Sequence, residues 1–197
     1  EGVPLSQLTK ESGALPLPRA IQITKGILAG LSEAHDFGIV HRDLKPANIF
    51  ITRSRAGDEI TKVLDFGIAK DTNASTEGEQ LTNASVIIGT PKYMAPEQFM
   101  KSPTNPSTDI YAVGLLLYQV IAGVPPFSTN SPLIPANLAT MPDEFKVGWL
   151  HLNADPQPLS VPPALWTLIT SMLAKDPQQR PSSVTEVITQ LNQILAT

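Results

Sequence analysis

His41-Arg42-Asp43-Leu44-Lys45-Pro46-Ala47-Asn48 places four chemically capable side chains, Arg42, Asp43, Lys45 and Asn48, within eight residues. The apolar run Gly38-Ile39-Val40 leads into the stretch and Ile49-Phe50-Ile51 leads out of it. A short polar loop held at both ends by apolar runs is the form a site takes when rigid elements position it.

Working outward, the chain before the loop reads as a helix. Pro18 suits a first helical position. Ile21, Thr24, Ile27/Leu28, Leu31 and Ala34 keep a three-four spacing, and Gly38 marks the stop. Residues 1–15 read as loop with a short helix at Leu5–Lys10. After the loop, the apolar runs 49–51 and 60–64 flank a polar stretch containing Ser54, Gly57 and Asp58, which predicts a β-hairpin. Antiparallel pairing brings the hairpin's open ends together, so Asn48 before it and Asp65 after it can share one ligand.

Residues 66–97 are rich in Thr, Ser, Asn and Gly, too long a stretch for a passive connection. A helix is predicted from Thr108 to Ala122, stopped by Pro125-Pro126. The segment 128–162 reads as loose and proline-bearing, with one helix near Pro132–Thr140. Two more helices are expected: Pro163–Lys175, and one from Ser183, where Ser183 and Glu186 fit a capping box. Past the hairpin the pattern is almost wholly helical, so the fold class is mainly α with a small β-hairpin.

Composition narrows the function. The chain has 197 residues, 42% of them hydrophobic, enough for one domain with a core. The net charge of −4 speaks against nucleic acid as a partner. The absence of cysteine excludes disulfides and thiolate metal sites and fits a reducing cytoplasm. The most apolar stretch, 110–124, is shorter than a membrane span and contains Gln119, so no membrane contact is expected from it. His35, His41 and His151 do not cluster in sequence. His35 is expected to be packed or half-exposed, His151 at the surface, and Trp149 and Trp166 in packing positions.

Phosphoryl transfer needs hard oxygen ligands for magnesium, a cation for the moving phosphoryl group and an acceptor for the attacking hydroxyl's proton. Asp65 and Asn48 can supply the metal oxygens, Lys45 the cation and Asp43 the acceptor.

Beyond these chemical requirements, the order of motifs carries a resemblance. His41-Arg42-Asp43-Leu44-x-x-x-Asn48, Asp65-Phe66-Gly67 and Ala95-Pro96-Glu97 resemble the signature of protein kinases. Gly89-Thr90-Pro91 through Met94, Asp109 through Gly114, and Asp176-Pro177 through Arg180-Pro181 extend the likeness over essentially the whole chain. The resemblance implies the helical C-terminal lobe of the kinase fold, with a catalytic loop at 41–48 and an activation segment at 65–97. It implies Asp43 as catalytic base, Lys45 as γ-phosphate contact, Asn48 and Asp65 as magnesium ligands, Phe50 as a nucleotide contact, and Thr90 as a residue bonding back to Asp43 and Lys45. Lys45 with Thr90 is the serine/threonine pattern. Glu97 is expected to pair with Arg180, Asp109 to hold the backbone near 41–42, and His41 and Phe66 to stack.

Arg42 before Asp43 resembles the class switched by phosphorylation of the activation segment, with the new phosphate paired to the arginine. Thr72, Ser75, Thr76, Thr82 and Ser85 are the candidates, Thr82 and Ser85 leading among them. Ala47 stands where some relatives that prefer basic substrates carry Glu, so an arginine-directed substrate motif is not expected. The wording around the loop resembles bacterial members of the family.

No Gly-x-Gly-x-x-Gly and no lysine-bearing Val-Ala-Ile-Lys strand precedes residue 41. Glu1-Gly2-Val3-Pro4-Leu5 resembles the segment that follows the kinase hinge, so the chain is expected to lack the N-terminal lobe that clamps ATP. ATP, Mg2+, protein substrates with Ser/Thr acceptors and that N-terminal lobe are the partners implied. The rival expectations are a pseudokinase scaffold and a docking module; intact Asp43, Asn48 and Asp65 weigh against the first.

Overall fold

The computed structural model describes residues 2–66 and 91–196. A short strand, β1 (Gly2–Pro4), leads into helix α1 (Leu5–Ser12) and then the long helix α2 (Leu17–Asp36). The hairpin follows as β2 (Ile49–Arg53) and β3 (Glu59–Val63). Next come the four-residue helix α3 (Pro96–Phe99), α4 (Pro106–Ala122), α5 (Asp143–Asn153), α6 (Pro163–Met172) and α7 (Val184–Leu195).

The hairpin acquires a third strand that its sequence did not announce. β1 pairs antiparallel with β2, Val3 opposite Ile51, so the sheet order is β1-β2-β3. In β2 and β3 the pairs Ile49–Val63 and Ile51–Thr61 share one face, which packs on α2. The packing is close. A Cβ on Gly26 of α2 would sit 2.6 Å from Thr61 Cβ, so only glycine lets helix and hairpin approach this far. On the opposite face lie Phe50, Ile60 and Lys62, half-buried to exposed.

α4 is the centre of the molecule. Residues 108 to 118 are buried all round, as a helix apolar on every side should be. Asn105 accepts from the Ser107 N–H at its N-terminus and Pro106 takes the first turn. Gly123 ends it at φ 76°, where any Cβ would lie 2.8 Å from Ala14 N. α2 stops similarly: Gly38, at φ 71°, donates to the His35 carbonyl while Ile39 N–H donates to Ala34.

Three expectations are corrected. The helix near 132–140 shrinks to a single 3-10 turn at Ala136–Leu138. A full helix, α5, stands instead at Asp143–Asn153, started by Pro142 and two acids in its first turn. At α7, Ser183 Oγ accepts from Glu186 N–H, but the Glu186 carboxylate reaches back to the N–H and hydroxyl of Ser182, one residue before the cap. Trp149 and Trp166 pack partly buried against the core.

Candidate active site

The loop 41–48 is held from behind by one carboxylate. Asp109, on the first turn of α4 and 1% exposed, accepts from His41 N–H at 2.8 Å and from Arg42 N–H at 2.9 Å. His35 Nε2, at the end of α2, also meets it at 2.8 Å. The two backbone donors converge on Asp109 because Arg42 sits in left-handed backbone, φ 65°, a conformation costing about 1–2 kcal/mol for a side-chain-bearing residue. That turn exposes two successive N–H groups to a single acceptor. On its other side the Arg42 carbonyl accepts from Gln98 Nε2 at 2.8 Å, and Gln98 Oε1 takes the Ala95 N–H. The residue before Asp43 is thus clamped at both backbone polar groups, by α4 and α3.

His41 is fully buried, and its ring is committed on both nitrogens. Nε2 meets the Leu64 carbonyl at 2.9 Å and Nδ1 accepts from Asp43 N–H at 3.3 Å, so the ring is a neutral Nε2–H tautomer. It lies 4.8 Å from the Phe66 ring. With no nitrogen left for chemistry, His41 ties the loop to the end of β3.

Asp43 and Lys45 meet directly, Lys45 Nζ donating to Asp43 Oδ2 at 2.9 Å, with side chains 24% and 28% exposed. The pair faces solvent rather than the core. Asn48 Nδ2 donates to the Asp43 carbonyl at 3.0 Å, leaving Oδ1 as the atom its amide can offer to a cation. Leu64 N–H donates to the Asn48 carbonyl at 2.9 Å, which sets Asn48 beside the residue preceding Asp65. Asp65 is exposed and, like Arg42, left-handed, at φ 56°. A carboxylate and an amide oxygen at one hairpin end are hard donors suited to magnesium, whose remaining positions are commonly filled by water and phosphate. Phe50 sits on the outer face of β2, opposite Pro4 and Lys62.

Behind the loop lies a second assembly. Arg180 grips Glu97 with both terminal guanidinium nitrogens, each at 2.8 Å, and Thr108 donates to the same carboxylate. Burial pushes the Glu97 carboxyl up, but the Arg180 hydrogen bonds, its own backbone N–H, the Arg180 charge and the Thr108 hydroxyl together hold it below the usual range. The Arg180 guanidinium also stacks 4.8 Å over the Tyr111 ring.

His151, expected at the surface, is 0% exposed. It lies on α5, whose face toward α3 and α4 cannot be read without knowing that α5 exists. Its Nδ1 meets Tyr111 Oη at 2.9 Å, and its ring packs against Phe99 and Phe127 at 5.5 and 4.9 Å. Burial, with the nearby Lys175 charge, pushes its pKa down to about 3, against a smaller upward pull from the Lys92 backbone. Burial likewise drives Tyr111 far up, so Tyr111 donates and His151 accepts. Sequence reasoning assigns no role to His35, Gln98 or His151, nor to Tyr93 inside the Gly89–Met94 stretch, although Tyr93 donates to Gln119 at 2.7 Å. Thr90, Thr82, Ser85, Thr72, Ser75 and Thr76 lie outside the described residues.

The protein kinase domain model matches residues 1–193. A serine/threonine-protein kinase of Myxococcus xanthus, pkn3, is 38% identical over 92% of this chain and 32% of its own length. The serine/threonine-protein kinase PknB of Mycolicibacterium smegmatis is 33% identical over 95% of the chain and 28% of its length. The crystal structure of the Mycobacterium tuberculosis PknI kinase domain superposes with a TM-score of 0.64 and 26% identity, covering 98% of this chain and 63% of that one. The chain therefore spans about a third of the curated relatives it matches.

Proposed function

The chain belongs to the protein kinase domain family, and on that premise we propose that it is the C-terminal catalytic lobe of an ATP- and Mg2+-dependent serine/threonine protein kinase acting in the cytoplasm. The observation that carries this reading is the junction in one loop of the partly exposed pair Asp43 and Lys45 with the buried Asn48, and Asp65 following the strand end bonded to Asn48.

In this reading the substrate Ser or Thr hydroxyl approaches Asp43, which takes its proton. The hydroxyl oxygen bonds to the γ-phosphorus as the bond to the β-phosphate oxygen breaks, leaving ADP. Lys45, anchored to Asp43, offsets the charge on the transferring oxygens. Asn48 and Asp65 would hold magnesium, which neutralises phosphate charge. Phe50 offers the outer sheet face to the nucleotide. Thr90 would bond back to Asp43 and Lys45, and Arg42 would receive a phosphate placed on Thr82 or Ser85, as the family resemblance implies. A separate N-terminal lobe supplies the phosphate clamp, because no glycine-rich loop occurs in these 197 residues.

The test is a kinase assay on the intact protein with Asp43→Asn as control. The rate is expected to fall on the order of 10² to 10⁴. Full activity in the variant would refute the assignment of the base.

A further inference from the structure

Beside the catalytic loop lies a cavity of about 370 Å³, lined by Ser6, Thr9, Lys45, Pro46, Ala47, Lys92, Tyr93 and Gln119. Its electrostatics run against those of the chain. The protein has 18 acids and 14 bases, yet among the described residues this cavity is lined by two lysines and no carboxylate.

The polar groups are also oriented. Tyr93 donates its hydroxyl proton to Gln119 Oε1 at 2.7 Å. Burial raises Tyr93 to about 12, so the phenol stays protonated and remains the donor. That bond fixes the amide's orientation and leaves the two N–H donors of Gln119 uncommitted to Tyr93. Thr9 spends its hydroxyl proton on the Leu5 carbonyl at 2.9 Å. Lys45 is bound to Asp43 at 2.9 Å, which leaves Lys92 as the lining's other ammonium. Lys92 is exposed on the turn Pro91–Tyr93 and lines the same cavity as Lys45, the residue bonded to Asp43. Among the described residues the lining offers a cation and an amide donor and no carboxylate, which is the donor set for an anion.

We propose that this cavity is a substrate subsite for an anionic side chain flanking the acceptor Ser or Thr, with Lys92 as its cation and Gln119 as its amide donor. The inference rests on the kinase reading of the same site and goes further by naming the substrate class. Carboxylate and phosphate share the required chemistry. Lys92 and Gln119 are specificity-determining residues, and a basic side chain entering the cavity meets like charge.

Peptides with a single serine acceptor test this, with Asp, phosphoserine, Ala or Arg placed in turn at each flanking position. The intact protein is assayed for kcat/KM, and the binding of the same labelled peptides is followed by fluorescence anisotropy. At one position at least, an anionic residue is expected to exceed Arg by roughly tenfold, the factor of one charge-assisted contact. Lys92→Glu and Gln119→Glu are expected to invert that ratio, and Lys92→Met to flatten it. The Asp-to-phosphoserine ratio identifies the anion. Transfer with no anionic preference, or an unchanged ratio in Lys92→Glu, overturns the subsite. Anion-selective binding that Lys92→Glu abolishes, with no transfer to any peptide, would support the subsite and sink the kinase reading instead.

Discussion

At the residue scale the site is a strained turn fastened by charge. Arg42 and Asp65 both adopt left-handed backbone, and each costs free energy that neighbours must offset. For Arg42 the offset is visible in Asp109 and Gln98, which satisfy the N–H and carbonyl of the same residue. Asp109→Ala would take the acceptor from the His41 and Arg42 N–H groups and from the His35 ring, a loss of about 2–4 kcal/mol measured by denaturant unfolding. Gln98→Ala removes only the outer clamp and is expected to cost about 1 kcal/mol. If the two variants lose equal stability, the ranking of these clamps is wrong. The Glu97–Arg180 pair behaves differently because both charges are buried. Arg180→Met should cost about 3–5 kcal/mol by stranding Glu97, and Glu97→Leu in the same chain should recover much of it. Motif matching could name Glu97, Arg180 and Asp109 as structural partners, since their types and order are distinctive. It could not name Gln98 or His35, because an amide on a four-residue helix and a histidine at a helix end look alike wherever they occur.

At the element scale, legibility followed periodicity. α2, α4, α6 and α7 carry long apolar repeats, and the hairpin carries two apolar runs around a turn, so their residues announce them. α5 does not: it begins beside Pro142, and its charged first turn reads as solvated loop. Losing α5 meant misplacing His151, the hub where α5 meets α3 and α4. That burial has a pH signature. The unfolded histidine titrates at 6.5 and the folded one at about 3, so the unfolded chain binds the extra proton between those values. The stabilisation is therefore fully present above pH 6.5 and is lost as pH falls toward 3, by about 1.4 kcal/mol per unit. Glu97 adds a second loss below its ordinary 4.5, because its folded value is lowered. His151→Phe keeps the packing but removes the titration. Between pH 6.5 and 5 its stability should decline more gently than the wild type's in urea melts. Parallel slopes would mean that His151 is already solvated. The α2–β3 contact gives a steric counterpart. Gly26→Ala drives a methyl against Thr61 and should cost about 1–3 kcal/mol by overpacking.

At the scale of the molecule, the two sides of the sheet differ. One packs on α2, and the other presents Phe50, Ile60 at 39% exposure and Lys62. This outer face, with Phe50 half-buried, Ile60 exposed and Lys62 beside them, lies next to Asn48 and Asp65, where the proposed nucleotide would meet apolar surface. The chain accounts for 63% of the solved kinase domain it superposes on. From these facts, phosphotransfer by the isolated 197 residues should fall on the order of 10³-fold or more below that of the intact protein. Positioning of the phosphoryl group supplies most of the catalysis in this chemistry, and the groups identified here hold only one side of it. The measurement compares both proteins on one peptide with saturating MgATP. Nucleotide affinity, followed by calorimetry, should weaken in parallel. If the isolated chain phosphorylates the peptide at a rate near that of the intact protein, the phosphate clamp lies within these residues and the division of labour proposed here fails. If affinity holds while the rate collapses, the proposed N-terminal lobe orients the γ-phosphate rather than binding the nucleotide, and Lys45 with Asp65 would be the groups left to retain it.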